Sequence, residues 1–256
     1  MTAVAMTKKA GIIQKLKRII HDEEKLEKFV IENSNLPGRR ANLELAFALS
    51  EVYEDFGVLE NWARIGVDQA SVNDPRSFLP FCSAVCLGRL YAKTTNEKIV
   101  DVLKTLASDD RWRIREAVAF GFQKIAEDNL PELKRIFSEW IEKSNNREKR
   151  AIVVALAHQK ILDRNTSLYC FKILEKILKN MERDDDFEIL KKGLEFAISI
   201  YTAANPEEGF SFMEKWIGKD EAIDLIIHSN LKKNRLRKKH PEKTEELLRR
   251  TRGNGS

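Results

Sequence analysis

Three stretches of the chain repeat one pattern, and that repetition limits the fold more than any other feature. SDDRWRIREAVAFGFQKI from Ser108, KSNNREKRAIVVALAHQKI from Lys143 and RDDDFEILKKGLEFAISIY from Arg183 each place a cap-type residue ahead of a basic residue in an apolar helix. The pattern aligns Asp109 with Ser144 and Asp185, and Arg115 with Arg150 and Lys191, at spacings of 35 and 41 residues. A degenerate earlier copy runs through NDPRSFLPFCSAVCLGRL. A period of about 30 to 50 residues marks stacked helical hairpins, because one hairpin cannot bury its apolar face without neighbours. The predicted fold is all-α, an armadillo-like α-solenoid (superhelix) of HEAT-like antiparallel helix pairs.

The rest of the sequence agrees with helices throughout. Apolar residues recur every three or four positions, and only 11 Gly and 6 Pro interrupt 256 residues. Turn signals at Asn35-Leu36-Pro37-Gly38, Asn73-Asp74-Pro75, Ser108-Asp109-Asp110, Ser144-Asn145-Asn146, Arg183-Asp184-Asp185-Asp186 and Asn205-Pro206 cut the pattern into segments of helical length. One repeat domain over 1–256 is expected, with capping helices near 8–32 and 220–250 and a disordered tail at 251–256. Asp109, Ser144 and Asp185 are expected to cap the second helices of their hairpins. Trp140 and Trp216 occupy equivalent points of two hairpins and read as core, as do Phe78, Phe81, Phe120 and Phe122.

Several classes of chemistry are excluded early. No apolar run reaches the roughly 18 to 20 residues of a membrane span, and the first 20 residues lack a signal-peptide pattern, so a cytoplasmic protein without membrane contact is expected. Cys82, Cys86 and Cys170 are odd in number and have no CxxC spacing, and His21, His158, His228 and His240 are scattered. Neither a metal site nor a disulfide framework is indicated. GxxxxGK[ST] and GxGxxG are absent, and no cofactor is expected.

Charge is distributed unevenly. The formal net charge is +5, but residues 1–20 carry +5 and residues 228–256 carry +7, so the body between them is acidic at −7. Basic residues nevertheless cluster in phase with the repeats: Arg111, Arg113 and Arg115, then Arg147, Lys149 and Arg150, then Lys191 and Lys192. On the concave side of a solenoid they would form a ladder able to follow a phosphate backbone. A solvated face held by intrahelical ion pairs accounts for the same residues equally well. Lys232, Lys233 and Arg235, with Arg237, Lys238 and Lys239, form a second basic stretch suited to nucleic acid or an acidic protein. Arg39 and Arg40 stand ahead of an apolar helix in a turn that suits a phosphate or an acidic partner, or simply water.

SEWIEKSNNREKRAIV and FEILKKGLEFAISIYTAANPEEGF resemble segments of the bacterial DNA alkylation repair glycosylases built from HEAT-like repeats. The resemblance covers roughly residues 105 to 216. It implies a concave face that holds duplex DNA and releases 3-methyladenine or 7-methylguanine. The family's tryptophan, catalytic aspartate, arginine and second tryptophan would fall on Trp112, Glu116, Arg150 and Phe196. Glu116 and Phe196 depart from that pattern, a longer carboxylate replacing aspartate and a phenyl ring replacing an indole. Trp112 and Glu116 would be the catalytic pair, Glu116 stabilising an oxocarbenium-like sugar or positioning water. Glu116 also falls in the first turns of a helix, where the dipole favours a carboxylate without any reaction. The whole chain is further similar to bacterial HEAT-repeat domain proteins without an assigned activity. Two functions follow as expectations: a monomeric DNA-binding protein with alkylpurine glycosylase chemistry, or a non-catalytic scaffold for a protein partner.

Overall fold

The computed structural model describes residues 3–252, and those residues are helical with no strand. Contacts divide the chain into two compact units, one through Leu133 and one from Lys134. The first unit contains α1 (Ala3–Leu16), α2 (Glu23–Glu32), α3 (Leu43–Ser50), α4 (Phe56–Ala63), α5 (Phe78–Thr94), α6 (Glu97–Ala107) and the first arm of α7 (Trp112–Trp140). The second holds the end of α7, then α8 (Asn146–Leu156), α9 (Arg164–Lys179), α10 (Phe187–Ala204), α11 (Pro206–Trp216), α12 (Glu221–Leu231), α13 (Asn234–Arg237) and α14 (Pro241–Arg252).

Side-chain caps set most of these boundaries. Asp22, Asn42, Asp55, Asn96, Asn145, Asp163, Asn205 and Asp220 each accept a hydrogen bond from a backbone N–H in the following first turn. This satisfies donors that a helix start otherwise leaves open. Asn145 and Glu148 form a reciprocal capping box on α8. The cap of α8 is therefore Asn145 and not Ser144, whose hydroxyl turns back to donate to Trp140 O at 2.7 Å. Asp186 takes the N-cap position of α10 in place of Asp185. Inside α7 the backbone leaves helical geometry at Asn129 (φ −149°, ψ 79°), two residues before Pro131. Asn129 Oδ1 accepts from Glu132 N at 3.2 Å and so caps the second arm, in whose first turn Pro131 needs no ladder N–H.

The chain turns most tightly after α5, α7's first arm and α10, through Thr95-Asn96, Asn129 and Asn205. Thr251 and Arg252, expected in a disordered tail, close α14; 253–256 lie outside the described residues.

In the first unit α5 is central. Nearly its whole circumference is buried, from Phe78 to Tyr91, and α3, α4 and α6 pack around it. A helix apolar on every side belongs in an interior. Phe47 of α3 and Phe120 of α7 meet edge to face, with centroids 5.5 Å apart. Gly88 and Gly121 let the backbones of α5 and α7 approach each other. Phe78, Phe81 and Phe122 are buried as expected.

In the second unit α10 lies between α8 and α12, with α9 and α11 packed beside it. Polar groups tie that core together. Tyr201 donates its hydroxyl to Val153 O, and Asn230 accepts from Ser199 N at 2.8 Å while donating to Leu194 O at 3.0 Å. Each of these groups is buried, where an unmade hydrogen bond would cost about 1 to 3 kcal/mol.

Candidate nucleic-acid interface

The start of α7 carries three arginines in five residues, and the structure employs them internally. Arg111 is 2% exposed. Its guanidinium donates to Ile65 O (2.7 Å), Ala70 O (3.0 Å) and Gly66 O (3.4 Å), and pairs with Asp109 through Nε at 2.9 Å and a second nitrogen at 2.6 Å. Arg113 donates to Gly38 O (3.0 Å), Arg39 O (3.3 Å) and Asn73 Oδ1 (3.3 Å). Arg115 donates to the carbonyls of Asp109 and Asp110. Guanidinium presents five donors in a rigid fork, and here those donors fasten distant loops to one helix start.

This corrects the expected ladder in the first unit. A phosphate could reach Arg111, Arg113 or Arg115 only by displacing the carbonyls that they already hold. In the second unit Lys149 is 6% exposed and lines a cleft. Arg147 Nε pairs with Asp186 at 2.8 Å, Lys191 pairs with Glu188 one turn back at 3.1 Å, and the Arg150 stem packs against Gly193. Lys192 remains exposed. Lys191 thus forms an intrahelical pair.

Trp112 and Glu116 lie in the first unit, Arg150 and Phe196 in the second. Trp112 is 48% exposed, with the Arg113 guanidinium 4.5 Å from its ring centre. Glu116 follows one turn later, half-buried and without a hydrogen-bond or ion-pair partner among the described residues. An exposed indole beside an unpaired carboxylate suits a flat or cationic ligand. Phe196 is 44% exposed on α10.

The connector between α12 and α14 presents charge differently. Lys232 ends α12, Lys233 starts the short α13, and Arg235, Arg237, Lys238 and Lys239 follow. None of the six has an ion-pair partner among the described residues. Partial burial without an acid pushes the Arg235 pKa down. In α14 Glu246 pairs with Lys243 at 3.0 Å and Glu245 with Arg249 at 3.9 Å. Leu231 and Leu236 are buried and hold the connector in place. Arg39 and Arg40 are also exposed, on the loop that Arg113 fastens.

Other chemistry finds little material. Burial pushes the thiols of Cys82, Cys86 and Cys170 well above their usual range, which removes the thiolate needed for nucleophilic attack. Among the described residues no group of three His, Cys, Asp or Glu side chains is placed to hold a metal ion. Nor is any described helix long and apolar enough to cross a membrane. Compared with family models, curated proteins and solved structures, the chain matches none.

Proposed function

We propose that this chain is an α-solenoid of HEAT-like helix pairs that binds duplex DNA mainly through phosphate contacts. The observation that carries the reading is the Lys232–Lys239 connector, with six cations that have no acidic partner among the described residues. Unpaired surface cations beside a polyanion release condensed counterions on binding, which is the main sequence-independent source of DNA affinity. The packing of α10 between α8 and α12 supports the stacked-hairpin architecture. The alkylpurine glycosylase chemistry implied by resemblance would rest on Trp112 and Glu116, the indole holding a cationic base and the carboxylate stabilising the sugar. A longer carboxylate than aspartate is a handicap there, since misplacement by about 1 Å can cost about a hundredfold in rate.

Fluorescence anisotropy with a labelled duplex across a salt series tests the binding, and release of 3-methyladenine and 7-methylguanine from methylated duplex tests the chemistry. Salt-sensitive binding is expected, with any base release lost in Glu116→Gln. No binding at low salt overturns the reading. A protein partner is the second reading, favoured by Phe196 and by Leu225, which is 52% exposed on α12.

A further inference from the structure

The side chain least explained by the fold is Lys149. It sits in the second turn of α8 with only 6% of its surface exposed, yet it has no hydrogen-bond or ion-pair partner among the described residues beyond its backbone. Lysine ordinarily buries its stem and leaves its ammonium in water. Lys149 keeps to that pattern: its stem is buried, its ammonium nitrogen is not fully enclosed, and no side chain among the described residues pairs with it in the cleft.

Lys149 lines a cleft of about 340 Å3 between the start of α8 and the end of α9. Lys143, Ser144 and Asn145 form one wall, and Asn180 and Glu182 stand on the other. Lys176 also lines it, but its charge is balanced by the Glu142 carboxylate. Lys143 is exposed and has no partner among the described residues. Lys143 and Lys149 are thus without a paired carboxylate beside a helix N-terminus, where the backbone dipole adds positive potential, with the Glu182 carboxylate across the cleft. Glu182 is exposed and Asn180 caps α9, so the opposite wall offers acceptors suited to hydroxyl groups. Liquid water takes about 30 Å3 per molecule, so the cleft has room for a ligand well beyond a single ion.

We infer that this cleft binds a small phosphate ester carrying hydroxyl groups, its phosphate held by Lys149 and Lys143. Phosphate supplies the two negative charges that the pair of ammonium groups lacks, and charge-assisted hydrogen bonds are the strongest available to them. The inference does not rest on DNA binding, since the connector at Lys232–Lys239 takes no part in it.

Amide NMR of the full chain, titrated with inorganic phosphate and then glucose 6-phosphate against chloride at constant ionic strength, tests the site. Saturable shifts are expected at Ser144, Asn145 and Asn180, with glucose 6-phosphate binding more tightly than phosphate. Lys149→Met keeps most of the buried stem and should weaken binding about tenfold or more, the scale of one lost charge-assisted hydrogen bond. Lys143→Gln changes an exposed residue and should weaken it with the native spectrum retained. The inference is overturned by the absence of saturable shifts in the cleft, or by unchanged affinity in a folded Lys149→Met. A short duplex that moves the cleft amides more than glucose 6-phosphate does overturns the small-ligand assignment. Duplex shifts confined to Lys232–Lys239 leave the cleft to the ester.

Discussion

Gly88 of α5 and Gly121 of α7 meet backbone to backbone. A Cβ built on Gly88 would lie 2.0 Å from Gly121 O, and one on Gly121 would lie 2.4 Å from Ala84 O. The obstructing atoms are backbone, so no rotamer change relieves the clash and the helices themselves must separate. Gly88→Ala gains about 1 kcal/mol in helix propensity. The overpacking should outweigh that gain and leave a net loss of about 2 kcal/mol or more. A lowered urea midpoint with an unchanged slope checks it; a stabilised Gly88→Ala would mean that the approach is looser than described.

Arg111 should behave as a structural residue. Its guanidinium holds the carbonyls of Ile65 and Ala70 and the carboxylate of Asp109. Removing one member of a buried ion pair typically costs about 3 to 5 kcal/mol, because the remaining charge is left uncompensated. Arg111→Met is expected to lose stability on that scale, and Arg111→Lys to recover only part of it, since an ammonium cannot reproduce the fork. Denaturant titration reads the loss. A stable Arg111→Met with weakened DNA binding would instead restore Arg111 to the contact surface.

The α9 cap provides a pH-dependent test. Asp163 accepts from Thr166 N at 2.6 Å, and that hydrogen bond holds its carboxyl below the usual aspartate range. A depressed folded pKa contributes stability above the unfolded value of about 3.9, and that contribution disappears as pH falls through the lower folded value. Asp163→Ala should therefore cost about 1 kcal/mol at neutral pH, the usual worth of an N-cap. The gap between variant and wild type should shrink below about pH 4. Melting curves of both proteins from neutral to acid pH provide the check, and a gap that widens with acid would contradict the sign.

What could be read from the sequence depends on how far apart the interacting residues lie. The helix start at Asn205 was legible because the capping residue and its N–H are three positions apart, and the expected caps Ser144 and Asp185 fell one residue short of the caps Asn145 and Asp186. The buried phenylalanines of α5 were legible because their spacing is local. The arginines were not: Arg113 faces Gly38 and Asn73, and nothing in RWRIRE announces acceptors so far away. A repeat-phased basic residue looks the same in sequence whether it meets a phosphate or a carbonyl. The cleft around Lys149 was not legible for the same reason, since it is completed by Asn180 and Glu182 of a later segment.

The decisive charge experiment must leave the second unit intact. Deleting residues 228–256 would remove all of its basic excess, but it would also remove Leu231, Leu236, Leu247 and Leu248, all buried. Lost affinity in such a truncation would then report damaged packing as readily as lost charge. Lys232→Gln, Lys233→Gln and Arg235→Gln together remove three unpaired cations and leave those leucines in place. If each contacts one phosphate, the slope of log affinity against log salt should become less steep by about 2.7, at about 0.9 per contact. Lys98→Gln and Lys172→Gln, at exposed lysines outside the connector, are the matched controls and should leave the slope nearly unchanged. An unaltered slope in the triple variant would remove the connector from the interface and leave Arg39, Arg40 and Lys192 as the next exposed cations to test.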